Sequence, residues 1–209
     1  GYCFEHNLLL HDVLVTLGFD VGLLAARVTW NRPAGAVTAR DHLLLRVELG
    51  GDTHVVDCGF GGLTLTGVLR LVPGEAQDTP HERFRFLQHD ATFELQAELP
   101  GPDGPDRSSW RSLYRFDRQP QHRIDAEMAS WYTATHPDSP FVSNLLVARP
   151  EPDRRLALRN GVRTVHHRDG STEQHRLADV AAIEASLERD FLLDLSGVAG
   201  LRAALARFV

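Results

Sequence analysis

The sequence predicts an α+β fold, and three features carry that expectation. An apolar helical stripe opens the chain. Short strand-like runs, separated by glycine- and proline-rich turns, fill its middle. The last third mixes strand and helix patterns. The 209 residues are 43% hydrophobic and 24% charged, enough for a packed core in one large domain or two small ones.

Residues 4 to 17 read as a helix. Cys3, Asn7, Leu10, Leu14 and Leu17 recur at i, i+3, i+4 spacing, which puts Cys3 at the end of a buried stripe, and Gly18 suits the helix stop. Strands are expected over Val21 to Trp30, His42 to Leu49, Thr53 to Cys58, Val68 to Val72, Phe84 to Gln88, Thr92 to Leu99 and Trp110 to Phe116. Turns separate them, notably Gly50-Gly51 and the run from Pro100 to Pro105. Such a block suggests a small barrel or curled sheet. A helix is expected over 124 to 135, ending before Pro137, with a boundary near 136 to 142. Ser143 to Ala148, Leu156 to Arg159, Val162 to His167 and Glu173 to Leu177 look like strands. Ala178 to Phe191 and Val198 to Phe208 look helical.

Composition narrows the function. A net charge of -6 argues against a nucleic-acid partner. All 22 basic side chains are arginine. No apolar run approaches membrane-spanning length and no signal-peptide pattern is visible, so no membrane association is expected. Two cysteines are too few for a disulfide framework, and a reduced, cytoplasmic protein is expected.

Chemistry concentrates in two segments. Cys3 stands at a helix start, where the partial positive charge and free N–H groups favour thiolate over thiol. His42 opens a strand, and Asp57 lies at the end of another. With Gly50-Gly51 as a two-residue hairpin loop, Leu49 pairs with Asp52 and Leu44 with Asp57. His42 and Asp57 then share a face as diagonal neighbours, roughly 7–8 Å apart at the backbone. Leu43, Leu45, Val47, Leu49, Val56 and Cys58 take the opposite, core face. A three-residue loop would turn one strand over and separate the pair. A thiol, an imidazole and a carboxylate are the parts of a nucleophilic acyl-transfer site. Taken singly, each has a structural reading: a buried thiol, a strand histidine, an acid beside a glycine turn. Their shared geometry tips the balance toward catalysis.

The run Gly1-Tyr2-Cys3-Phe4-Glu5-His6-Asn7 resembles the end of the Arg-Gly-Gly-x-Cys-Phe-Glu-x-Asn motif of the arylamine N-acetyltransferases. Asp41-His42-Leu43-Leu44-Leu45, Val56-Asp57-Cys58-Gly59-Phe60-Gly61-Gly62, His136 to Asn144 and Leu158-Arg159-Asn160-Gly161 are similar to further segments of that family. The resemblance implies a papain-like core helix, a β-barrel domain and an α/β lid. Residues 1–17 would be the remnant of a helical domain carrying the nucleophile, 18–122 the barrel, 123–142 an interdomain helix and linker, and 143–209 the lid. It implies Cys3 as nucleophile, His42 as base, Asp57 as orienting acid and Asn7 as their support. Tyr2, Phe60 and Phe141 would line the acceptor pocket, and Gly59, Gly61 and Gly62 would lie beside bound donor. The implied reaction is two-step transfer from acetyl-CoA to an arylamine or arylhydrazine through acetyl-Cys3, without a metal; oligomers are compatible with it. Two residues depart from the family pattern. Asp41 precedes the histidine where a small or hydroxylic residue is usual, and Cys58 replaces a valine and is expected to be an inert, core-facing thiol.

Rival readings are an amide synthase of the same fold that releases a polyketide aryl amine, and a papain-like thiol hydrolase in which water collects the acyl group. An N-terminal-nucleophile amidase is disfavoured because Cys3 is not residue 1. Gly59-Phe60-Gly61-Gly62 lacks the Gly-Lys-Ser/Thr ending of a nucleotide loop. Cys3 with His6, or His166 with His167, lacks the second ligand pair that zinc needs. Arg123, Arg154 and Arg155 read as solvated surface charge rather than as contacts to CoA phosphates.

Overall fold

The computed structural model describes residues 1–33, 35–101 and 104–209, with the side chains of 104–107 set aside. The chain divides into two compact units, residues 1–133 and 134–209.

The first unit opens with α1 (Cys3–Thr16). Its end is a left-handed glycine cap: Gly18 has φ +90, its N–H reaches the Val15 carbonyl, and the Phe19 N–H reaches Leu14. Eight strands follow: β1 (Asp20–Val28), β2 (His42–Leu49), β3 (Asp52–Val56), β4 (Leu69–Arg70), β5 (Ala76–Asp78), β6 (Arg83–His89), β7 (Thr92–Gly101) and β8 (Gly104–Asp117). Neighbours pair antiparallel in the order β4-β3-β2-β1-β8-β7-β6-β5. The two ends of this sheet approach each other. The Gln77 side-chain amide of β5 accepts from the Arg70 N–H of β4 and donates to its carbonyl, both at 2.8 Å, and Pro73 bridges to Phe86. The sheet is thus a nearly closed barrel. Leu24, Leu44, Val55, Phe84, Phe86, Leu95 and Tyr114 are among the residues that fill it. Helix α2 (Arg123–Thr135) ends this stretch, and Asp12 of α1 pairs with its Arg123 at 3.1 Å.

The hairpin register is the one expected from Gly50-Gly51. Leu49 faces Asp52 and Leu45 faces Val56. Both turn glycines have positive φ, +64 and +90, which L-residues resist. The two faces of this hairpin are both buried. Leu44 and Val55 point into the barrel, whereas Leu43 and Leu45 pack with Cys3, Phe4, Leu23 and Ala126 beneath the helices.

Several local expectations are corrected. Leu17 is 68% exposed because it lies beyond the last full turn of α1, and Leu49 is exposed because it borders the turn. Cys58 is exposed rather than core-facing: β3 stops at Val56, so the alternation of the ladder no longer governs the next residues. The run from Pro100 to Pro105 is not all loop, since β7 extends to Gly101 and β8 begins at Gly104; Pro102 and Asp103 lie outside the described residues. The short β5 carries too few residues for alternation to show.

The second unit begins within the end of α2 and contains α3 (Pro140–Ser143), an antiparallel sheet of β9 (Leu146–Glu151), β10 (Arg154–Arg159), β11 (Val162–His167) and β12 (Thr172–Arg176), then α4 (Val180–Arg189) and α5 (Leu201–Leu205). Ser139 caps α3 and Asp179 caps α4 through their side-chain oxygens. Leu156, Leu158 and Val165 on one sheet face pack against Ile183, Leu187, Phe191 and Leu205. With its helices set beside antiparallel sheets, the chain has the α+β fold read from the sequence.

Candidate active site

Cys3 is the first residue of α1 and is buried. Its thiol lies 3.9 Å from the Asp41 carbonyl, at the mouth of β2. His42 and Asp57 are buried, and His42 Nε2 meets Asp57 Oδ2 at 2.7 Å. That bond leaves Nδ1 as the nitrogen available to the thiol.

The other oxygen of the Asp57 carboxylate is engaged twice. Oδ1 accepts from Asn7 Nδ2 at 3.0 Å and from the Gly59 N–H at 2.9 Å. Its main-chain carbonyl accepts from Thr64 Oγ1 and the Leu65 N–H. Asn7 is a hub. It also donates to the Leu43 carbonyl at 2.8 Å, and its Oδ1 accepts from the Cys58 N–H at 3.1 Å and the Cys58 thiol at 3.4 Å. One turn of helix thus connects Cys3 to the residue that holds Asp57, and through Leu43 to the strand that carries His42.

Charge follows geometry. Burial opposes a charged His42, but the Asp57 carboxylate, its hydrogen bond and the neighbouring Cys3 thiol overcome this and push its pKa up to about 10. Burial likewise opposes an ionised Asp57, yet His42, Asn7 and the Gly59 N–H hold it below the usual carboxylate value. The pair is therefore imidazolium and carboxylate at neutral pH. Asp41 differs: burial pushes its pKa up, and its Oδ1 is buried without a hydrogen-bond partner. Burial, and then the Asp57 charge, also raises the pKa of the Cys58 thiol, consistent with an unreactive thiol.

Aromatic rings enclose the imidazole. Phe60 meets it edge-on at 5.1 Å and Tyr114 lies at 4.9 Å. Tyr114 was not singled out by the sequence, although its place two residues before Phe116 in an apolar strand puts a hydroxyl inside the barrel. That hydroxyl makes no well-formed hydrogen bond, and burial with the Asp57 charge pushes its pKa well up, so it stays neutral.

The predicted glycines separate. A Cβ on Gly59 would lie 2.4 Å from the Cys3 Cα and 2.9 Å from the Asn7 Nδ2. Gly59 is glycine because the helix start presses on it. Gly61 (φ +66) and Gly62 are exposed, with open space around them. Tyr2 is half-buried, and its N–H donates to the Glu5 carboxylate at 2.7 Å. Phe141 lies in α3 of the second unit and is 43% exposed. Among the described residues no cluster of three His, Cys, Asp or Glu side chains could hold a metal. His166 and His167 instead bond Thr172 and Glu173.

A family model described as N-acetyltransferase matches residues 1–199. The arylamine N-acetyltransferase of Mycolicibacterium smegmatis is 41% identical over 203 residues, which are 96% of this chain and 71% of that protein. The Salmonella typhimurium arylamine N-acetyltransferase / N-hydroxyarylamine O-acetyltransferase is 36% identical over 215 residues, covering all of this chain and 74% of the relative. The solved structure of Mycobacterium marinum arylamine N-acetyltransferase in complex with CoA superposes with TM-score 0.92 at 36% identity, covering 100% of this chain and 76% of that one. By class, the molecule is an acyltransferase. More narrowly, the chain belongs to the arylamine N-acetyltransferase family.

Proposed function

We propose that Cys3, His42 and Asp57 form a thiolate–imidazolium–carboxylate triad that moves an acetyl group from acetyl-CoA to an arylamine or arylhydrazine in two steps. The buried 2.7 Å contact between His42 and Asp57, beside a thiol at a helix N-terminus, carries this reading. The Cys3 thiolate attacks the donor thioester carbonyl. The C–S bond to CoA breaks, and the departing thiolate takes the imidazolium proton. The amine then attacks acetyl-Cys3 and passes its proton to His42, and the product leaves as the thiolate and imidazolium return. Asn7 supports Asp57. Phe60 and Tyr2 offer aryl surface on the Cys3 side, and Phe141 is the acceptor contact assigned to the second unit. The exposed backbone at Gly61 and Gly62 lets a donor approach, while Gly59 serves the helix start. The CoA complex of the Mycobacterium marinum relative supports a CoA thioester as donor. We place the reaction in the cytoplasm, where the thiol stays reduced.

Mixing the protein with acetyl-CoA, without acceptor, should release one equivalent of CoA thiol in a burst and leave an acetyl group on Cys3. Adding an arylhydrazine should discharge it to the N-acetyl product. Cys3→Ala should show no burst. A burst of undiminished size in Cys3→Ala, or an acyl-enzyme that only water discharges, would overturn the proposal.

A further inference from the structure

Away from Cys3, the second unit holds a cavity of about 480 Å³. Arg159, Arg176 and Arg207 line it, with Thr164, Gln174 and Phe208. Strand register explains how the first two come together. Arg159 of β10 faces Val162 of β11, and Val162 faces Arg176 of β12. The two guanidiniums therefore rise from one row on one sheet face, about 10 Å apart at the backbone. Thr164 and Gln174 face each other in the next row. The third cation comes from the C-terminal turn. A Cβ on Gly161 would lie 2.4 Å from the Phe208 carbonyl, so the glycine lets that turn close on the β10–β11 hairpin and bring Arg207 to the cavity.

Their shared cavity and their company distinguish these arginines. Other arginines of the same unit have a carboxylate within 4 Å: Arg154 has Glu151, and Arg163, on the opposite face of the same sheet, has Asp190 at 2.6 Å. Arg159, Arg176 and Arg207 show no such ion pair. Neighbouring Glu173 projects from the other face, held by His167 and His175. No Asp or Glu is among the residues that line the cavity, which leaves three cations there without a lining side-chain carboxylate. Like charges in one row of a sheet repel unless an anion lies between them.

We propose that this cavity binds the phosphate groups of a phosphorylated ligand. Arginine's planar donor fork matches phosphate oxygens two at a time, and Thr164 and Gln174 add neutral donors. The spacing of the two sheet arginines suits a diphosphate or two nearby phosphates better than a single carboxylate. Such groups come from two sources, a CoA-type thioester or a free phosphate compound. The site rests on second-unit residues alone and does not depend on the acetyl-transfer reading.

Calorimetric titration of the whole chain with inorganic pyrophosphate tests this. Wild type, and an Arg168→Gln control outside the cavity, should bind saturably. Arg159→Gln/Arg176→Gln should bind at least about tenfold more weakly, with a shallower salt dependence and an unchanged melting temperature. Should the double variant not fold, Arg207→Gln, which alters one exposed side chain, takes its place with the same expectation in lesser degree. Displacement of pyrophosphate by CoA but not by phosphate-free pantetheine identifies a CoA-type source, and failure of CoA to displace it identifies a free phosphate ligand; both support the site. Absence of saturable binding by folded wild type, or equal affinity in the folded arginine variants, overturns it.

Discussion

Gly59 has no space for even one more carbon, because the backbone of Cys3 stands where its Cβ would be. Gly59→Ala must push the helix start outward or the loop back, and either move pulls the thiol from the imidazole. We expect a stability loss of about 1–3 kcal/mol from overpacking. Cys3 alkylation at neutral pH should also slow by more than tenfold; an unchanged rate would show that the helix start yields without moving the sulfur. The His42–Asp57 pair sets a pH window. His42 has its pKa raised to about 10, so its contribution to stability is complete below its unfolded value near 6.5 and is lost as pH rises toward 10. Asp57 has its pKa lowered, so its contribution is present above its unfolded value and is lost as acid protonates it. Denaturation curves across this range should show wild type losing stability on the alkaline side, and His42→Gln should remove that slope. Breaking the buried pair should itself cost about 3–5 kcal/mol. Cys3, His42 and Asp57 could be singled out because each has a chemical signature in sequence, and the structure brings His42 and Asp57 into contact. Tyr114 and the steric role of Gly59 were not legible, since both depend on what lies across the barrel or under the helix.

The hairpin from β2 to β3 ends at Val56, one residue short of Asp57, and delivers that residue to the His42 side. Its turn works only with positive φ at Gly50 and Gly51. Gly51→Val should therefore cost about 1–3 kcal/mol of stability through backbone strain, read as a lowered melting temperature. A variant with one extra glycine in this turn should lose acyl transfer, because it reverses which way one strand's side chains point. Full activity in that insertion variant would mean the pair is held by something other than the ladder. Strands bounded by glycine turns, such as β2 and β11, could be read closely. Alternation failed at Cys58, where the strand had already ended, and at Leu17, where the helix had.

The absence of lysine has a use at the scale of the whole chain. With no ε-amines to acetylate, no stable acetyl-lysine can confuse the readout, and an acetyl mass that hydroxylamine removes marks a thioester. Peptide mass spectrometry after acetyl-CoA treatment should find it on the Cys3 peptide alone, and an acetyl on the Cys58 peptide would mean the wrong thiol had been assigned. The α+β class was legible because helix and strand periods alternate along the chain in blocks. That the strand block curls into a barrel was legible too; the contact that draws its ends together was not, because the tie between β4 and β5 uses a glutamine side chain that no pattern marks. That tie has a consequence for solubility. A sheet whose first and last strands are stitched together offers an intruding chain few unpaired main-chain groups to copy. A Gln77→Ala protein should open that seam and exchange the Arg70 amide hydrogen faster, and on standing it should be the first variant to form intermolecular β-structure.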